Sequence, residues 1–127
     1  MRIDKAQPAG PVVNGLSAQG FKVDDAQGVT GVYAALLLTP VRADAWTPPA
    51  LDSLDVAALA PILDPAPEFV LLGTGRELRH PPRALVRALE AQGIGVEAMD
   101  SRAAARAWGI LRAEDRQIAA ALYPLEA

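Results

Sequence analysis

Cysteine is absent and histidine occurs once, at His80. The first absence excludes disulfides, thiol nucleophiles, thiolate-held zinc and iron–sulfur clusters. The second excludes multi-histidine metal sites and histidine dyads. Aromatic residues make up only 5% of the chain, so alanine, leucine and valine must fill its core. Lysine stands only at Lys5 and Lys22. The longest apolar run, residues 32–38, falls well short of the roughly 20 residues that a membrane-spanning helix needs. The opening Met1-Arg2-Ile3-Asp4-Lys5 is polar and lacks the apolar stretch of a secretory signal, so a cytoplasmic protein is expected.

What remains is an ordinary globular composition. The 127 residues are 51% hydrophobic and 21% charged, which is incompatible with a disordered chain. The length predicts one domain over residues 1–127, and a chain of this size buries roughly two-thirds of its unfolded surface without staples. The net charge of −3 is a poor match for nucleic-acid binding, which depends on Lys and Arg neutralising phosphates. The charge is unevenly spread. Residues 1–75 hold four basic and eight acidic residues, whereas residues 76–127 hold eight arginines and seven acids. The C-terminal part is therefore locally basic, as a solvated arginine surface or a partner-binding face would be.

The Gly- and Pro-rich residues 1–18 predict an arm with short extended pieces, such as Val12-Val13. Phe21-Lys22-Val23-Asp24 alternates apolar and polar, the period of a half-buried strand. A turn at 25–28 leads into a second, more buried strand over 29–38, and the two suggest an antiparallel hairpin at one end of a sheet. Pro40 ends that strand, and 41–46 is read as a strand turning back. Asp52 or Ser53 is placed to cap a short helix over 54–59. Phe69-Val70-Leu71-Leu72 is continuously apolar, as in a strand buried on both faces. Pro81-Pro82 opens a helix with Leu85, Val86 and Leu89 on its inner stripe and Gly93 at its stop. Residues 95–99 form the next strand. Asp100-Ser101 caps a second helix, with Ala104, Ala107, Trp108 and Leu111 inward and Gly109 a point where it could end. The tail, 117–125, fits a helix or a strand equally well by pattern. Two strands joined by a helix imply a parallel crossover, so the class is α/β with a mixed sheet.

Gly73-Thr74-Gly75 is the candidate ligand loop. A glycine turn between a buried strand and a helix lets backbone amides approach an anion. It lacks the third glycine of a dinucleotide fingerprint and the Gly-Lys-Ser/Thr of a phosphate loop. Arg76 and Arg79 follow closely, and guanidinium forks suit carboxylates and phosphates. His80, Arg83 and Arg87 extend the basic cluster. Ser17 misses the nucleophile-elbow pattern by one position. Asp24-Asp25 and Glu114-Asp115 read as polar turns rather than catalytic pairs, and no spacing resembles a metal site or implies a cofactor.

The stretch 69–75, then Pro81-Pro82, then 93–100 resembles the family of the mitochondrial NADH dehydrogenase (complex I) assembly factor three and its uncharacterised bacterial and archaeal relatives. Gly20-Phe21, the leucine run ending in Thr39-Pro40, and Trp46 follow the same pattern. The chain departs from it at Ala34-Ala35, where that family often has Gly-Ser, and at Trp108-Gly109, where it often has Tyr-Asn. The resemblance implies a compact three-layer α/β fold with a mixed central sheet and a final strand within 118–123. It also implies a non-enzymatic binding or assembly protein with a protein partner, in respiratory-complex or membrane-protein biogenesis. The alternative is a small-molecule or anion binder, an enzyme among the options, using Gly73, Thr74, Gly75, Arg76 and Arg79.

Overall fold

Alternating and continuous apolar runs sort the strands of this chain into two different sheets. The computed structural model describes residues 10–127. Strands β1 (Val12–Ser17), β2 (Gly20–Asp24) and β3 (Thr30–Tyr33) form a three-stranded antiparallel sheet. Strands β4 (Leu36–Leu38), β5 (Ala43–Ala45), β6 (Phe69–Gly73), β7 (Gly95–Met99) and β8 (Ala119–Leu122) form a mixed five-stranded sheet in the order β5-β4-β8-β6-β7. β8 runs antiparallel to β4 and parallel to β6, and β7 is parallel to β6. The helices are α1 (Val56–Leu59), α2 (Arg83–Glu90) and α3 (Ser101–Ala113).

Both faces of the five-stranded sheet are covered, because its central strands are apolar at successive positions. On one face, Val70 and Leu72 of β6 and Ala119 and Ala121 of β8 pack with Leu51, Leu54, Leu59, Ile62, Leu85 and Leu89 from the 51–63 segment and α2. On the other, Leu71, Ala120 and Leu122 meet Trp108 and Ala104 of α3 and Phe21 and Val23 of β2. Each fully buried Leu, Ile, Val or Phe side chain contributes about 1.5–3 kcal/mol. Trp108 is fully buried, and its indole N–H donates to the Pro11 carbonyl at 3.1 Å. That bond satisfies the one polar group of the ring and ties the start of β1 to α3.

Several local expectations change. Residues 29–38 are two strands rather than one. Val32 stays exposed on β3, whereas Leu36, Leu37 and Leu38 are all buried, so the alternating pattern stops before the continuous one begins. The β2–β3 hairpin belongs to its own sheet, and the antiparallel edge of the mixed sheet is β4 with β5 instead. Asp55, not Asp52 or Ser53, caps α1 by accepting from the Ala58 amide at 3.0 Å. Residues 51–53 form a separate 3-10 turn. α3 passes Gly109 and runs to Ala113. Residues 12–17 of the expected N-terminal arm are strand β1, and residues 1–9 of it lie outside the described residues. The ambiguous tail is β8, the strand that joins the antiparallel and parallel parts of the sheet. Among the described residues, no helix is long and apolar enough to cross a membrane.

Candidate functional site

The carboxyl ends of β6, β7 and β8 point the same way, and the crevice outside such ends is where open α/β sheets bind ligands. Gly73-Thr74-Gly75 lies there, as the sequence placed it. Gly73 ends β6, and a Cβ on it would sit 2.8 Å from Ser101 Oγ and 2.9 Å from Leu122 Cδ2. Gly75 has φ +106°, and its Cβ would meet the Ala127 carbonyl oxygen at 2.5 Å. Both glycines are therefore required by close approach of the chain's own segments.

The loop amides are spent within the molecule. The Thr74 N–H donates to the Met99 carbonyl at 2.9 Å, and the Arg76 N–H to the Ala127 carbonyl at 3.1 Å. The Gly75 N–H donates to Ser101 Oγ at 2.8 Å, and that hydroxyl donates onward to the Tyr123 carbonyl at 2.8 Å. Ser101 is fully buried, and Thr74 is nearly so. Thr74 Oγ1 donates to the Glu77 carbonyl at 2.6 Å and accepts from the Arg79 N–H at 3.0 Å. The helix-capping work at Asp100-Ser101 is divided. Asp100 caps α3 through the Ala103 amide, and Ser101 clasps the ends of β6 and β8.

The outward-facing groups are guanidiniums. Arg76 and Arg79 are both exposed. They line a hollow of about 330 Å³ with Glu77, Glu126 and Ala127. Arg76 pairs with Glu126 at 3.0 Å, and the same carboxylate meets Arg102 at 3.4 Å. On the inner side, the Tyr123 hydroxyl donates to the Pro49 carbonyl at 2.8 Å, and its ring meets Trp46 edge-on at 5.2 Å between centroids. Burial pushes the Tyr123 phenol up to about 12, with the nearby Arg79 charge opposing this and Asp52 reinforcing it.

The other chemistry-bearing residues stay apart from this end or serve as scaffolding. His80 is exposed beside a shallow hollow with Pro81, Arg83, Val86, Arg87 and Glu90. Among the described residues, the Ser17 hydroxyl bonds to Gln19 within its turn. Asp24 holds Asn14 and Thr30, and Asp25 accepts the Gln27 and Val29 amides of the β2–β3 turn. Among the described residues no group of three or more acidic or histidine side chains is arranged to hold a metal. At the opposite end of β6, Arg116 chelates Glu68, and this hydrogen bonding holds the Glu68 carboxyl below its ordinary 4.5. Sequence reasoning did not bring Arg102 and Glu126 to Arg76. Only the parallel alignment of β7 and β8 on either side of β6 does so.

The fold and this end of the sheet define an α/β domain in which a five-stranded mixed sheet carries a smaller antiparallel sheet on one face. The chain belongs to a family of proteins of unknown function, DUF498/DUF598, whose profile matches residues 13–123. It is 37% identical over 71 residues to an uncharacterised protein of Rhodobacter capsulatus, a match covering 56% of each chain. It is 29% identical over 124 residues to the zebrafish (Danio rerio) NADH dehydrogenase [ubiquinone] 1 alpha subcomplex assembly factor 3. That match covers 96% of this chain and 69% of the zebrafish protein. A crystal structure of a Bordetella parapertussis protein superposes with a TM-score of 0.75 at 34% identity, covering 91% of this chain and 97% of that one. An NMR structure from Xanthomonas campestris gives 0.74 at 28% identity, covering 98% and 93%.

Proposed function

We propose that this chain is a non-enzymatic binding protein that assists the assembly of a protein complex, in respiratory-complex or membrane-protein biogenesis, acting from the cytoplasm. The observation that carries this reading is the closed end of the sheet. Where α/β domains commonly leave a crevice, residues 123–127, Ser101 and Met99 take up the loop's hydrogen-bonding groups. A domain built this way works through the side chains on its surface. The similarity to a protein named as an assembly factor supports the same role and a protein partner. The test is partner capture from native membranes with the tagged full chain. Repeated recovery of a respiratory or membrane-insertion component is expected, and its consistent absence counts against the reading.

A second reading, binding of a small anion by Arg76 and Arg79 beside Gly73-Thr74-Gly75, is favoured by the hollow these arginines line. Titration with inorganic phosphate tests it. Shifts of the Thr74, Gly75 and Arg76 amides at millimolar concentration are expected, and silence there rejects it.

A further inference from the structure

Glu126 lies between two arginines that come from different elements. Its Oε1 is 3.0 Å from Arg76 Nη2, in the loop after β6, and its Oε2 is 3.4 Å from Arg102 Nη2, in the first turn of α3. All three side chains are at least half exposed, at 66%, 50% and 63% for Arg76, Arg102 and Glu126. Exposed pairs of this kind contribute little. Arg102 stands in the first turn of α3, where the Asp100 carboxylate at the N-cap offsets the positive pole of the helix. Arg79, which makes no ion pair among the described residues, borders the same hollow. Two guanidiniums thus share the single Glu126 carboxylate. Arg102 and Glu126 also border a shallow cavity of about 610 Å³ whose walls include Leu16, Ala18, Ala34 and Leu125.

We infer that Glu126 is an internal stand-in for a partner's carboxylate, and that Arg76 and Arg102 form a clamp for an acidic segment of a partner protein. The partner's Asp or Glu displaces Glu126 from the two guanidiniums. An apolar side chain next to it in the partner rests against Leu16, Ala18 and Ala34. Displacement is easy because the internal pairs are exposed and weak, and the buried clasp beneath them does not move. This inference rests on the reading that the chain binds a protein partner, and it names the chemistry of that partner's contact.

The test is fluorescence anisotropy with a labelled Leu-Glu-Leu-Glu-Leu-Glu peptide. Wild type is compared with Glu126→Gln, and with Arg76→Gln/Arg102→Gln in the Glu126→Gln background. Removing the competing carboxylate is expected to tighten binding roughly threefold to tenfold, since two exposed ion pairs no longer oppose it. The double arginine replacement is expected to abolish the gain, and a peptide with Gln in place of Glu is expected not to bind. Equal affinity of wild type and Glu126→Gln overturns the inference. Undiminished binding after loss of both arginines, or by the Gln peptide, also overturns it. So does a response of the Arg76 and Arg102 amides to inorganic phosphate but not to the peptide, which assigns the clamp to a free anion. The titration decides the clamp without reference to membrane capture, so its failure is read separately from failure of the assembly role.

Discussion

At the end of the central sheet, an inner and an outer region lie within one residue of each other in sequence and are built on different physics. Inside, Thr74, Gly75, Ser101 and Tyr123 are buried, and their side-chain polar groups are all hydrogen-bonded. Outside, the side chains of Arg76, Arg102 and Glu126 meet in exposed ion pairs. Burial makes each inner bond expensive to leave unmade, because a stranded donor or acceptor loses water without replacement. Solvent makes each outer pair cheap to exchange. The inner region fixes where the arginines stand. The outer region can then change partners without disturbing the fold.

That contrast can be broken from the inside. The largest effect is expected for Gly75→Val, which forces a branched side chain to φ +106° and against the Ala127 carbonyl. A loss of about 4 kcal/mol is expected in urea unfolding, combining backbone strain with overpacking. Ser101→Ala comes next. It strands the Gly75 N–H and the Tyr123 carbonyl at once, and about 2–3 kcal/mol should be lost in the same measurement. Tyr123→Phe should cost about 1 kcal/mol at neutral pH through the lost bond to Pro49. Its sharper signature lies in alkali. The folded phenol keeps its proton up to about 12, whereas the unfolded one releases it at 10.0, so wild-type stability is full below pH 10 and falls between 10 and 12. Thermal melts across that range should show the fall in wild type and its absence in Tyr123→Phe. The smallest effect belongs to the outside. Glu126→Gln should change stability by less than about 0.5 kcal/mol while altering peptide binding. A larger destabilisation by Glu126→Gln than by Ser101→Ala would invert the comparison.

The same contrast separates what could be read from the sequence from what could not. β6, α2, β7 and α3 were legible because Phe69-Val70-Leu71-Leu72, the prolines before Arg83, Gly93 and the Asp100 cap are local signals. The split of 29–38 was not, because the sequence does not state that Tyr33 and Leu36 serve different sheets. The alanine-rich 119–122 was undecided because a methyl side chain fits helix and strand alike, and burial on both faces removes any alternation. At the site, the glycine loop and Arg76 and Arg79 were legible as a location. The fate of the loop amides was not, since their partners are Met99, Ser101 and Ala127, supplied by later segments. The carboxylate that joins Arg76 to Arg102 was hidden for the same reason.

The position of β8 has a consequence for how the chain acquires its shape. It is the last described strand to be synthesised, yet it lies in the middle of the sheet, the only strand bonded to both β4 and β6. Until residues 119–122 clear the ribosome, the β4–β5 pair and the β6–β7 pair are separate halves. Each then presents an open edge beside Leu36–Leu38 or Phe69–Gly73, the sort of edge that recruits other chains. One short alanine-rich strand covers both edges, so completion of the sheet waits on contacts distant in sequence. The chain is thus most in need of protection until residues 119–122 are free to join the sheet.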